Sequence, residues 1–204
     1  MTVPTLHVLT DANLGRGLGH LALAEAAIAG GADAVQLREK HGDDAALRVI
    51  AARIAGACAA AGVTLVIDDR VDLAAELGVG AHVGAHDLSP QEARRRLGRH
   101  RLLGATANTW EALIALDDAP VDYIGIGPVF ATSSKAEAPP GLGLARFSAW
   151  AARARHPVVA IGGLTVDDID AVRRAGAHGV AVLGAVASAD DPAATVAQLR
   201  RALR

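Results

Sequence analysis

Along the 204-residue chain, short runs of β-branched and aliphatic residues alternate with longer, Ala-rich stretches whose apolar positions recur at helical spacing. The runs at residues 5–10, 34–38, 64–67, 81–84, 101–106, 123–126, 158–161 and 179–183 read as strands. The stretches 20–29, 43–61, 70–77, 89–97, 108–116, 144–154, 165–175 and from about 191 onward read as helices. Local punctuation agrees with the pattern. Gly62 and Gly78 stand where a helix ends in a left-handed residue. Ser89-Pro90-Gln91-Glu92 places a capping hydroxyl, a proline at the first helical position and then an acid. Thr165 with Asp167 and Asp168 opens another helix in the same way.

Strands alternating with helices predict parallel βαβ units, and eight in succession predict a closed (β/α)8 TIM barrel of the α/β class rather than an open sheet. Residues 1–204 are expected to form one such domain, with the active site at the C-terminal rim of the strands. The fold usually takes about 250 residues, so most connections must be short. The one after the sixth strand is not, and its length calls for a functional reason.

That sixth connection, within the stretch DYIGIGPVFATSSKAEAPPGLGL at residues 122–144, carries hydroxyls and one lysine in Thr132-Ser133-Ser134-Lys135. A cluster of donors without acceptors is costly, so the segment reads as an anion-binding loop suited to phosphate or pyrophosphate. Gly162-Gly163 after strand seven and Gly184 after strand eight match the usual phosphate position of this fold, where bare backbone N–H groups approach the ligand. Lys40 and Lys135 come from distant strands and would converge on a second anion.

Asp69 and Asp87 follow adjacent strands three and four. Two unpaired carboxylates at about 4 Å repel by roughly 4 kcal/mol at an effective dielectric of 20, and a divalent cation removes that cost. Magnesium, a hard ion that takes one or two carboxylates plus substrate phosphate oxygens, suits the pair best. The alternative pairs Asp69 with Arg70 or Arg38 and leaves Asp87 to cap a turn. His82 and His86 at i, i+4 lack a third ligand in pattern and do not make a zinc site.

Composition narrows the function classes. Net charge is −2 and aromatic residues make up 2%, so the arginines at 94–96, 99 and 101 have no stacking platform beside them and nucleic acid is not expected as a partner. Cys58 is the single cysteine and reads as a core thiol. The N-terminus shows no basic leader, and the uncharged stretch at residues 54–67 holds two glycines and is shorter than the roughly 18 residues a membrane helix needs. A cytoplasmic protein without membrane partners is expected. Whether it forms a homo-oligomer is left open by the pattern.

Six motifs, QLREK (36–40), IDDR (67–70), HVGAHD (82–87), YIGIGPVFATSSK (123–135), PVVAIGGL (157–164) and AGAHGVAVLGAV (175–186), occur in an order that resembles the thiamine-phosphate synthase family. The resemblance implies a transferase of thiamine biosynthesis. It would join hydroxymethylpyrimidine diphosphate to thiazole phosphate, giving thiamine phosphate and pyrophosphate by a magnesium-assisted, dissociative alkyl transfer. Carried over by position, Gln36, Arg38 and Lys40 contact the pyrimidine diphosphate, Asp69 and Asp87 hold Mg2+, and Lys135 binds the diphosphate. Thr132, Ser134, Gly163, Leu183 and Gly184 hold the thiazole phosphate. Leu37, Glu39, Asp68, Thr106 and Ser133, within or beside the same motifs, complete the substrate-binding set. Lys135, Lys40 and Arg38 are the expected catalytic groups, acting on charge that grows on the leaving pyrophosphate.

Five positions depart from the family pattern: Asp68 for Asn, Ala85 for Gln, Thr106 for Ser, Asn108 for His and Gly184 for Ser. Two other readings share the barrel. One is a thiazole tautomerase-like isomerase, which lacks the acid pair and uses a histidine where this chain has Asn108. The other is a non-catalytic barrel that binds thiazole phosphate or thiamine phosphate.

Overall fold

The computed structural model describes residues 2–40, 42–132, 134 and 140–204. Its strands are β1 (Leu6–Thr10), β2 (Ala34–Leu37), β3 (Thr64–Asp68), β4 (Gly80–Val83), β5 (Leu103–Ala107), β6 (Tyr123–Ile126), β7 (Val158–Ile161) and β8 (Gly179–Val182). They are all parallel, each pairs with its sequence neighbours, and β8 closes on β1 through Val8 opposite Val182. The helices are α1 (His20–Ala29), α2 (Asp44–Ala61), α3 (Val71–Leu77), α4 (Pro90–Leu97), α5 (Trp110–Ala115), α6 (Gly143–Arg153), α7 (Ile169–Arg174), α8 (Gly184–Ala187) and α9 (Pro192–Ala202). This is the (β/α)8 barrel that the alternation predicts.

The caps account for most of the helix boundaries. Ser89 Oγ accepts from the Glu92 N–H at 3.3 Å, and Gly62 and Gly78 close α2 and α3 with φ of 68° and 66°. Asp168 accepts from both the N–H and the hydroxyl of Thr165, tightening the entry to α7 into a 3₁₀ turn over Val166–Asp168. Helix α5 starts at Trp110 rather than 108 because Thr109 Oγ1 takes the Ala112 N–H and so becomes the cap. Helix α8 lies beyond the sequence reading. A four-residue turn is too short to show a 3.6-residue period.

Period-two alternation sorts the strand residues into two cores. Outward positions such as Val35, Leu37, Ile67, Ile124, Ile126 and Val182 pack under the helices with Phe147 and Trp150. Inward positions Leu9, Val66, Tyr123, Val159 and Ala181 fill the barrel with Val3 and Leu102. Polar side chains occupy other inward positions: His7, Gln36, Asp68 and His82 are buried too. Gly104 makes room for them. A Cβ there would lie 2.2 Å from Tyr123 Cζ and 2.5 Å from His82 Nδ1, so any larger residue would expel that pair.

At the opposite, N-terminal end one carboxylate ties the barrel seam. Asp33 accepts from the Thr5 hydroxyl at 2.7 Å, the Leu6 N–H at 3.0 Å and Arg200 at 2.8 Å, joining β1 to α9. Burial alone would raise this carboxyl, but those donors outweigh it and hold the pKa below its ordinary value.

Candidate active site

A cavity of about 490 Å³ opens at the C-terminal end of the strands. Gln36, Arg38, Lys40, Asp68, Asp69, Thr106, Thr132, Ser134, Gly163, Leu183 and Gly184 line it, all from the predicted set. The reason is geometric. The inward residue at the end of a barrel strand and the first residues of the following loop must face the barrel mouth.

One wall is charged. Lys40 Nζ lies 2.5 Å from Asp69 Oδ2 and 3.1 Å from Asp68 Oδ2. Asp68 also accepts from Gln36 Nε2 at 2.8 Å. A carboxylate that only accepts fixes which end of the Gln36 amide faces it. The added charge of Asp68, the departure from Asn, is therefore absorbed by Lys40 and Gln36. Arg38 Nη1 lies 2.5 Å from Asp11, at the end of β1. Burial would lower the Lys40 ammonium, but Asp68 and then Asp69 outweigh it and raise its pKa, so the side chain is a cation at neutral pH.

Asp69 and Asp87 are hydrogen-bonded to one another. Burial and the Asp69 charge raise Asp87. Asp69 is also raised by burial, but Lys40 and the hydrogen bond from Asp87 prevail and hold it low. Asp87 Oδ2 also accepts the Gly84 N–H at 2.7 Å, so its turn-capping and its contact with Asp69 coexist. Neither arginine weighed as a partner for Asp69 is its partner: Arg70 bonds Asp44 and the Glu39 carbonyl, and Arg38 bonds Asp11. Asp69 has φ of +63°, a left-handed conformation that costs a non-glycine residue about 1–2 kcal/mol and is concentrated at functional sites.

The facing wall is backbone. Gly162 and Gly163 have φ of 98° and 67°. A Cβ on Gly162 would meet Pro128 Cβ at 2.4 Å, and one on Gly163 would meet the Ala131 carbonyl at 2.5 Å. Glycine is required twice here, by conformation and by the close approach of the β6 connection. Beyond it the first residue of α8, Gly184, comes near the hydroxyl of Ser134, which a Cβ at 184 would approach to 2.9 Å.

Two predicted contacts point elsewhere. The Leu37 side chain lies in the outer core, because it is an outward residue of β2. Glu39 accepts from His20 Nε2 at 3.1 Å, and His20 Nδ1 in turn pairs with the Thr10 hydroxyl at 2.8 Å. Ser133 and Lys135 lie outside the described residues. Sequence reasoning missed the cavity floor: His7 and Tyr123 line it, with His82, which had been weighed only as a zinc ligand. His82 Nε2 sits 2.8 Å from Thr106 Oγ1, and Nδ1 sits 3.1 Å from Tyr123 Oη. Burial pushes the His7 imidazole down to about 4, so His7 is neutral, with Nε2 donating to the Pro4 carbonyl. The usable signal was a polar residue at an inward position of an otherwise apolar run.

Among the described residues no three His, Cys, Asp or Glu side chains are grouped to hold a metal ion, and no helix is long and apolar enough to cross a membrane. The Asp69–Asp87 pair is nonetheless a fitting donor set for a hard cation: two carboxylates in contact, with Asp87 raised by burial and by its neighbour.

Fold and rim together define a (β/α)8 barrel enzyme with an acid pair and a buried polar floor at its mouth. The sequence profile described as thiamine monophosphate synthase matches residues 6–186. The chain is 45% identical over 197 residues to the thiamine-phosphate synthase of Chloroflexus aurantiacus, covering 96% of this chain and 90% of that one. It is 41% identical over 196 residues to that of Methanocella arvoryzae, covering 96% and 92%. A solved structure, thiamine phosphate pyrophosphorylase from Pyrococcus furiosus, superposes with a TM-score of 0.87 at 28% identity, covering 98% of this chain and 95% of that one. The chain belongs to the thiamine monophosphate synthase family, and is a transferase of thiamine biosynthesis acting on small molecules.

Proposed function

We propose that this enzyme joins hydroxymethylpyrimidine diphosphate to thiazole phosphate, releasing pyrophosphate and forming thiamine phosphate, at the cavity on the C-terminal rim. The observation that carries the reading is the division of that cavity. One wall presents Lys40 and Asp69, with Asp87 in contact with Asp69 behind it, and the facing wall presents glycine backbone at residues 162–163 and 184. Two anionic substrates need two such walls, one for the diphosphate and one for the monophosphate.

In this reading the bond between the pyrimidine methylene carbon and the diphosphate oxygen breaks, and its electron pair leaves with pyrophosphate. The thiazole nitrogen lone pair then forms the new C–N bond to the pyrimidine cation. Lys40, and Lys135 from the sixth connection, stabilise the charge growing on the leaving group, with Arg38 held at the cavity by Asp11. Asp69 and Asp87 would hold Mg2+, which when bound would neutralise diphosphate charge. Thr132, Ser134, Gly163 and the Leu183–Gly184 backbone keep the thiazole phosphate in place. Thr106 and Gln36 face the pyrimidine ring. No group here need abstract a proton, which suits a floor of neutral residues. Asn108 lines the cavity where the isomerase relatives are expected to use histidine, which favours the synthase reading.

Incubation of the purified protein with pyrimidine diphosphate, thiazole phosphate and magnesium should yield thiamine phosphate. Calorimetric binding of thiazole phosphate without turnover under those conditions would instead establish a sequestering barrel. Lys135→Ala should lower the rate more than it weakens thiazole-phosphate binding; equal losses would move Lys135 to the other phosphate.

A further inference from the structure

The polar floor contains three side chains whose hydrogen bonds can be satisfied in only one direction. Tyr123 is 2% exposed, and its hydroxyl lies 3.1 Å from His82 Nδ1. No described residue leaves a buried side-chain polar atom without a partner. A phenol carries one proton to donate, and a buried donor without an acceptor is costly. An imidazole protonated on Nδ1, or on both nitrogens, would turn a donor toward Tyr123 and deprive its O–H of this acceptor. The arrangement that satisfies it has Tyr123 donating to Nδ1, which leaves the ring proton on Nε2. That Nε2–H, 2.8 Å from Thr106 Oγ1, then donates to the threonine. Thr106 is the inward residue of β5 opposite Gly125, at the edge of the cavity. With its oxygen accepting from the ring, its own proton is free to point into the cavity.

We propose that Tyr123 and His82 are positioning residues that fix the Thr106 hydroxyl as a hydrogen-bond donor toward the substrate ring, so that the ring must present an acceptor lone pair there. The assignment rests on the reading that Thr106 faces the pyrimidine substrate, whose ring nitrogens supply such lone pairs. It accounts for the glycine at 104, whose missing Cβ admits both Tyr123 and His82. The hydroxyl at 106 is what the relay requires, and Ser and Thr both supply it. A chain of this kind works as a unit, because reversing any one bond strands a donor at the buried end.

The test has two arms. In the first, nitrogen NMR of the ligand-free, histidine-labelled wild-type chain, with the His82 signals assigned by their loss in His82→Gln, should show Nε2 protonated and Nδ1 as a hydrogen-bonded acceptor. In Tyr123→Phe that bias should relax toward a mixture of tautomers. A His82 protonated on Nδ1 in the wild type would overturn the proposal, and so would an unchanged spectrum in Tyr123→Phe. In the second arm, kcat/KM for the pyrimidine diphosphate should fall about tenfold in Thr106→Val and be largely kept in Thr106→Ser. Tyr123→Phe should cost several-fold in the wild type but nothing further in the Thr106→Val background. Equal costs of Tyr123→Phe in both backgrounds would make Tyr123 a packing residue only and overturn the proposal. If wild-type turnover fails altogether, the reading of the substrate is wrong, while the NMR arm still decides the direction of the relay.

Discussion

Replacing Lys40 by Met and Asp69 by Asn, singly and together, isolates the ion pair at the centre of the charged wall. The ammonium lies 2.5 Å from one Asp69 oxygen, and the two side chains are 36% and 20% exposed. Unit charges at about 4 Å attract by roughly 4 kcal/mol at an effective dielectric of 20, whereas fully exposed pairs yield about 0.2–1 kcal/mol. Partial exposure places this pair between those limits, and a coupling free energy of about 1.5 kcal/mol is expected. The pH dependence follows from Asp69, whose pKa in the folded chain is below its ordinary 3.8. Its contribution is complete above the unfolded value and is lost as pH falls through the folded one. Urea unfolding without divalent cations should therefore show the full coupling at pH 7 and a decline across the acid limb. Coupling below about 0.3 kcal/mol at pH 7, within the scatter of independent sites, would refute the reasoning, as would a value that does not change with acid. Lys40→Met should also lower kcat/KM about a hundredfold while the chain still folds, because Asp68 and Asp69 are then left facing an anionic substrate without their cation.

Other consequences are equally direct. Magnesium should raise the Tm of the wild type by relieving the Asp69–Asp87 contact, and Asp87→Ala should abolish that rise along with magnesium-dependent turnover; a variant still stabilised by magnesium would remove the acid pair from the metal. Gly162→Ala should cost about 2–4 kcal/mol in denaturant unfolding, from its φ of 98° and a Cβ placed 2.4 Å from Pro128 Cβ; a loss under about 1 kcal/mol would show that the β6 connection can yield. Asp33→Asn, at the far end of the barrel, should destabilise by about 1–3 kcal/mol and leave KM unchanged, with the deficit shrinking toward acid because the wild-type carboxylate is itself lost there. A changed KM would mean that the seam is coupled to the rim.

Much of this architecture is written locally. The (β/α)8 order could be read because each strand and helix carries its own period and its own stops. Gly62, Gly78, Ser89 and Thr165 act where they stand, through φ or through a bond reaching three residues along the chain. Rim residues such as Gln36, Asp68 and Thr106 could be placed because a barrel strand leaves only one choice of inward positions. The glycines at 162–163 and 184 and Lys40 are placed in the same way, by following a strand, and motif resemblance adds the substrate group each is expected to meet. The outward turn of Leu37 follows from the same alternation, which a motif taken as a block over residues 36–40 hides.

What the chain alone determined is which residues reach the mouth of the barrel. Only the closed barrel decided which of them meet. Lys40 chooses Asp68 and Asp69, Arg38 chooses Asp11, and His82 bridges Tyr123 and Thr106 across three strands. Those choices depend on the register and curvature of strands up to 41 residues apart in sequence, and on the space left by Gly104. Propensity acts over a few residues, whereas the direction of a buried hydrogen bond is set by everything packed around it.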